Sequence, residues 1–158
     1  MTVRVGGFLA AGAVLVTMLS GCSSPDEDDA RTALSEYLDE VGEQDYTEAC
    51  ALLDKSAKQK LGGTCASALS KRYATLSAAV RSDLDKIEVD RVAVKGSTAT
   101  VTDRNIEVVE TVRTTKKDKN GKKKTTTSQS RHTAPDVSSG NGFTLVKSGD
   151  AWLVRDGL

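Results

Sequence analysis

An uncharged apolar run from Val5 to Leu19, followed directly by Ser20-Gly21-Cys22, constrains this chain more than any other feature. It decides which residues take part in folding and in which redox compartment they do so. Arg4 and the α-amino group place positive charge just before the run, and small residues follow it, the pattern of an export signal that is removed after translocation. A helix that spans a bilayer needs about 20 consecutive apolar residues, more than this run supplies. Residues 1–21 are therefore expected to be a cleaved signal peptide, with the exported protein beginning at Cys22.

The string Leu19-Ser20-Gly21-Cys22 resembles the bacterial lipobox, Leu-(Ala/Ser)-(Gly/Ala)-Cys. That resemblance implies a diacylglyceryl group on the Cys22 thiol, cleavage before Cys22, palmitate-type acylation, and an extracytoplasmic domain lipid-anchored to the bacterial cell membrane. The thiol is the nucleophilic group that takes the lipid. Each buried methylene contributes about 0.8 kcal/mol, so two or three chains hold a domain firmly on the bilayer. An ordinary secretory peptide, or a signal anchor with an incidental cysteine, is the competing reading. The expected organisation is a signal peptide over 1–21, a lipidated cysteine and flexible acidic tether over 22–29, and one α+β domain over 30–158 carrying a basic hairpin near 113–131.

Loss of residues 1–21 removes Arg4 and no acidic residue, so the formal charge moves from +0 to near −1. This balance hides a strong polarity. Ten acidic residues lie between Asp26 and Glu48 against Arg31 alone, whereas eight basic residues lie between Arg113 and Arg131 against Asp118. Aromatic residues make up 4% of the chain, so the core must rest on Val, Leu, Ala and Ile. With Cys22 lipidated, Cys50 and Cys65 are the one remaining cysteine pair, and export permits a disulfide between them. Closing a loop of this length is worth about 3 kcal/mol in the chain-entropy model. Two buried free thiols are the alternative. No metal site or cofactor is expected, because these cysteines and the distant His132 lack the short ligand pairs of a zinc pattern. Asp26, Glu27, Asp28 and Asp29 lack the spaced oxygens and turn glycine of a calcium loop and read as a solvated tether.

Hydrophobic periodicity divides the remainder into helices followed by strands. Ala30, Leu34, Tyr37, Leu38 and Val41 form the stripe of an amphipathic helix, with Gly42 at its expected C-cap. Asp45 is placed to cap a second helix through Tyr46, Ala49, Cys50 and Leu53, with a short turn over Ala57–Leu61 that Gly62-Gly63 breaks. Thr64 is placed to cap a long helix carrying Cys65, Leu69, Tyr73, Leu76, Val80 and Leu84 on one face. After Lys86 the period becomes two. Val92 and Val94, Gly96-Ser97 and Thr98 to Thr102 predict a hairpin, and Ile87 and Val89 are out of phase with it, which predicts a bulge or strand start between them. Ile106, Val108 and Val112 continue a strand, and Phe143 to Arg155 fold back at Ser148-Gly149-Asp150. Helices first and an antiparallel meander afterwards define an α+β class.

Ala49-Cys50-Ala51-Leu52-Leu53, Thr64-Cys65-Ala66 and the closing Gly149-Asp150-Ala151-Trp152-Leu153-Val154, in this order of elements, resemble actinobacterial lipoproteins of the nuclear-transport-factor-2-like, cystatin-like cone superfamily over roughly residues 28–158. The resemblance implies N-terminal helices packed on a curved antiparallel sheet that wraps a long helix into a cone. It implies fold more than function, because that superfamily holds transport adaptors, isomerases, hydrolases and binding domains. Members resembling ketosteroid isomerase use a carboxylate base with tyrosine and acid donors. Asp103, Tyr37, Tyr46 and Tyr73 are available here by type alone.

Among candidate functional residues, Lys116, Lys117, Lys119, Lys122, Lys123 and Lys124 stand out, because they flank Asn120-Gly121, a strong two-residue hairpin signal. A two-residue turn pairs Lys119 with Lys122, and the same register sets Asp118 beside Lys123, Glu110 beside Arg131 and Val109 across from His132. The bland reading is a solvated β-arm. The functional one is a patch that meets an envelope protein, an anionic lipid or an anionic polymer, each lysine contributing about 1 kcal/mol near an anionic membrane. Nucleic acid is not expected, since no aromatic stacking residues accompany the lysines. His132 lacks any nucleophile signature and reads as a solvated strand residue, and Trp152 reads as a core anchor. No catalytic constellation emerges. The reading that results is a non-enzymatic binding or accessory domain of the cell envelope, with a small cone-fold enzyme and a structural spacer as alternatives.

Overall fold

The structure, a computed structural model, describes residues 24–117, 119, 121–134, 137, 138, 140 and 142–157. The expected signal peptide and Cys22 lie outside the described residues, as do Asp118 and Asn120. The class is α+β: among the described residues five α-helices are followed by seven strands, arranged as two antiparallel sheets that do not close on each other.

Helix α1 (Pro25–Gly42) starts earlier than the apolar stripe suggests. Ser24 and Glu27 form a reciprocal capping box, Pro25 occupies the first turn, and Asp26, Glu27 and Asp28 complement the positive end of the helix dipole. Residues 25–29 are thus helix and not the flexible tether expected there. Gly42 also departs from expectation, since it lies within the helix. A side chain at that position would meet Leu84 Cβ at 3.1 Å and the Asp85 amide nitrogen at 3.3 Å, so its role is close approach. Gln44 adopts the positive φ, 64°, after the helix ends.

Helices α2 (Tyr46–Ala51) and α3 (Lys55–Leu61) are capped by the side chains of Asp45 and Asp54. The expected long third helix is two, α4 (Cys65–Thr75) and α5 (Ala78–Asp83). Leu76 and Ser77 between them are extended, and the Ser77 hydroxyl accepts from the Val80 amide to start α5. A 3₁₀ turn over Leu84–Lys86 leads into the strands.

Strands β1 (Ile87–Val89), β4 (Ile106–Lys117) and β5 (Lys123–Thr133) form one sheet in the order β1-β4-β5. Strands β2 (Ala93–Lys95), β3 (Thr98–Thr102), β6 (Gly142–Ser148) and β7 (Ala151–Asp156) form the other, in chain order. The phase break between Val89 and Val92 is therefore a change of sheet. Gly96 and Gly149, at φ 60° and 64°, supply the positive φ that the two-residue turns β2–β3 and β6–β7 require. Against the sheets, α1 buries Ala30, Leu34, Tyr37, Leu38 and Val41, the stripe its sequence predicts. They pack in one cluster with Ile106, Val108, Phe143, Leu145, Trp152 and Val154. Fully burying a side chain such as Leu34 or Leu145 stabilises by about 1.5–3 kcal/mol. The loop after α2 closes on the edge of the second sheet: the Asp54 amide donates to the Val154 carbonyl and the Val154 amide to the Leu52 carbonyl, each at 2.9 Å.

Candidate functional site

A small hollow lies between α1, α4 and β6. It is lined by Tyr37, Leu69, Arg72, Tyr73, Leu84 and Phe143, among others, and its volume of about 30 Å³ corresponds to one water molecule. Among the described residues that line it there is no carboxylate. Asp103 instead accepts a hydrogen bond from the Ser138 hydroxyl at 2.8 Å, outside this hollow, and Tyr46 packs edge-on to Tyr73 with ring centroids 6.1 Å apart. Burial drives the Tyr37 hydroxyl well above the ordinary tyrosine range, and the charge of Arg72 offsets this only in part, so Tyr37 stays protonated. The described lining residues supply donor groups, Tyr37, Arg72 and Tyr73.

A larger cleft of about 400 Å³ lies next to it, lined by Ala57, Lys60, Leu61, Arg72, Arg155 and Asp156 with three glycines. Nothing in the sequence marks it, since its charged residues come from α3, α4 and β7 and meet only through packing. Two ion pairs involve its lining residues, Lys60 with Asp156 and Arg155 with Asp54 at 2.8 Å. Asp54 is 6% exposed and receives the Ala57 amide at 2.7 Å on its other oxygen. Burial pushes its carboxyl upward, yet the Ala57 amide and the Arg155 guanidinium outweigh this and hold it below the usual aspartate range.

Asp54→Ala is expected to lower stability by about 2 kcal/mol through loss of the α3 cap and a charge-assisted bond, and Asp54→Asn by about half as much. The native pKa is depressed, so the ionic part is complete above the unfolded value of about 4 and disappears as pH falls through the lower native value. Urea denaturation of Asp54→Asn and wild type at pH 7 and near pH 2 checks this, and a deficit that does not shrink in acid rules it out.

The lysine-rich segment builds a different kind of feature. Strand β5 pairs with β4 over its whole length, from Thr133 opposite Glu107 to Lys123 opposite Lys117. Their roots are held to the body. Ile106 and Val108 are buried, the Ala134 amide donates to the Ile106 carbonyl, and Arg131 pairs with Glu88 at 2.8 Å and Glu107 at 3.5 Å across β4. From Glu110 to Lys117 and from Lys123 to Thr133 every residue is exposed, so a two-stranded ribbon projects from the domain. β-branched Thr114 and Thr115 face Thr126 and Thr125, with the Thr115 and Thr125 hydroxyls 3.1 Å apart. Val112, 43% exposed, marks where the apolar face of β4 runs out.

The hairpin forms as the sequence predicts, but its register is one residue away. Lys117 faces Lys123, Glu110 faces Ser130, and His132 faces Val108 in place of Val109. The connection over residues 118–122 is odd in number, and Gly121 at φ 78° fits the left-handed position that closes an odd-numbered hairpin loop. A two-residue turn would have required the even count. In this register Glu110 has no charge opposite it, and two consecutive lysine pairs form, Lys116 opposite Lys124 and Lys117 opposite Lys123. All six lysines, Lys119 and Lys122 included, are exposed at this tip.

The other sequence-predicted positions are distributed over the molecule. Cys50 and Cys65 are joined, with Cα atoms 6.1 Å apart, and tie α2 to α4. Trp152 is buried, with Lys147 5.8 Å from its ring centroid, and Lys147 also pairs with Asp26. That pairing raises the Lys147 pKa. His132 lies exposed at the ribbon root beside a groove lined by Val80, Asp83, Val108 and Val137. Among the described residues no three His, Cys, Asp or Glu side chains are grouped to hold a metal ion, and no helix is long and apolar enough to cross a membrane. The geometry thus defines an α+β domain with a basic β-ribbon. No family model matches the chain, and no curated protein or solved structure matches it.

Proposed function

We propose that this protein is an extracytoplasmic lipoprotein, anchored to the bacterial cell membrane through a lipidated Cys22, whose α+β domain is a non-enzymatic binding module of the cell envelope. The observation that carries the reading is Leu19-Ser20-Gly21-Cys22 at the end of an uncharged apolar run. The bonded Cys50 and Cys65 support it, because a disulfide suits an exported domain and leaves Cys22 as the one thiol for the lipid. We extend the reading to a cone of the nuclear-transport-factor-2-like type, supported by a long helix packed on antiparallel strands that follow it in sequence.

Intact-mass analysis of protein extracted from its native membrane tests the anchor. The expected result is a chain lacking residues 1–21 and carrying two or three acyl chains on Cys22. Cys22→Ala should remain uncleaved and lose acylation. A Cys22→Ala protein processed and retained like wild type rejects the proposal.

A further inference from the structure

We propose that the tip of the β4–β5 ribbon grips a linear polyanion, a polymer of repeated phosphate or carboxylate groups, lying beyond the bilayer to which the protein is anchored. The inference rests on the anchor reading for its direction and on the ribbon alone for its ligand chemistry.

Direction comes from the topology. Gly42, at the end of α1, lies against Leu84 just before β1, whereas Asp90, Arg91 and Val92, just after β1, line a hollow with Glu27, Asp28 and Arg31 at the start of α1. Strand β1 therefore runs from the C-terminal end of α1 back toward its N-terminus. Strand β4 is antiparallel to β1 and continues past its Ile87 partner Val108 to Lys117, so the ribbon leaves the domain at the end of α1 opposite Ser24. Cys22 is two residues from Ser24, a span of at most about 7 Å. The length of α1 is about 27 Å, and Val108 to Lys117 adds about 30 Å. Its lysines stand several Debye lengths of about 8 Å away from the anchored end.

Ligand chemistry comes from the tip. Like charges directly opposite each other destabilise a ribbon, and here two such pairs are consecutive. Among the described residues, Lys116, Lys117, Lys123 and Lys124 make no ion pair that would relieve them. The charge is not spread along the exposed edge strand β5, whose middle stretch, Thr125 to Ser130, carries none, but is concentrated at the ribbon tip. Alternation puts Lys116 and Lys124 on one face and Lys117 and Lys123 on the other. A flat anionic surface meets one face, whereas a flexible chain of anions can contact both. Lysines act as point charges without the fork geometry of arginine, which suits charge density over one shaped group.

The test uses the full-length lipidated protein in nanodiscs of neutral lipid, titrated with linear polyphosphate and, separately, polygalacturonate. Vesicles rich in anionic lipid serve as the competitor. Binding to at least one polymer is expected, weakening steeply with salt. Replacing Lys116, Lys117, Lys123 and Lys124 by Gln should weaken it at least tenfold at 0.1 M salt and flatten the slope of log affinity against log salt by roughly three. Replacing the same four by Arg should preserve it. Which polymer binds assigns the anion as phosphate or carboxylate. Absence of binding to both, equal binding by the Gln variant, or preferential binding to the anionic vesicles overturns the proposal. The Cys22→Ala protein separates the two readings. Polymer binding that persists while mass analysis finds no lipid on Cys22 removes the anchor reading and leaves the polyanion site standing, and a lipidated chain that ignores both polymers does the reverse.

Discussion

Gly142→Ala is expected to be among the most damaging single substitutions in the domain, at about 4 kcal/mol or more. Gly142 opens β6 opposite Thr102 of β3, at a φ of 129° that L side chains rarely adopt. A Cβ there would sit 1.9 Å from the Val101 carbonyl oxygen and 2.7 Å from Thr102 Cα. Both obstacles are backbone, so relief requires the strands to part. Parting them disturbs Val101 and Phe143, which are paired one position further in and buried. Gly149→Ala is the control for conformational strain without crowding, because φ there is 64° and nothing lies within 4 Å of the added carbon. Its expected cost is about 1–2 kcal/mol. For a domain of this size the first substitution should lower Tm by about 15 °C and the second by roughly 5 °C. Thermal unfolding followed by circular dichroism gives both values. Equal shifts would mean that β3 and β6 do not approach as closely as this pairing requires.

Much of the fold could be read from sequence because its causes are local. The stripe from Ala30 to Val41 needs only a 3.6-residue period, and Gly96 and Gly149 mark turns because the turns demand a positive φ. The early start of α1 was also legible, in Ser24, Pro25 and Glu27, but the acidic composition of residues 26–29 resembles a tether as closely as it resembles a first turn. The break at Leu76-Ser77 is harder to see, since Leu76, Val80 and Leu84 keep helical phase across it and the Ser77 cap shows itself only once the chain has turned. Pairing between distant segments left less trace. That β1 and β2 belong to different sheets follows from what each packs against, and the ribbon register depends on the number of residues in the 118–122 connection. The candidate sites divide in the same way. Clustered lysines around Asn120-Gly121 are contiguous and visible, whereas Lys60, Arg72 and Arg155 share a cleft that exists only after α3, α4 and β7 have assembled.

Removal of the Cys50–Cys65 bridge should lower stability by about 3 kcal/mol, or roughly 10 °C in Tm, and should do so unevenly. The bridge closes a loop 15 residues in span that contains all of α3 and joins helices of 6 and 11 residues. Helices this short are marginal in water without partners. Their anchorage to the rest is modest, with Ala49, Leu53, Ala57 and Leu69 buried while most neighbouring positions are partly or fully exposed. The second sheet has its own support in Leu145, Trp152, Val154 and the stripe of α1. In the Cys50→Ala/Cys65→Ala protein, amide exchange should therefore rise first between Tyr46 and Thr75, and protection in β6 and β7 should fall only to the extent of the global loss. Exchange measured by mass spectrometry on the oxidised, reduced and double-alanine proteins distinguishes this from uniform destabilisation. The arrangement is refuted if reduction leaves Tm unchanged, or if β6 and β7 lose protection before α2 and α4, because then the bridge would not be what holds this helical layer on the sheet.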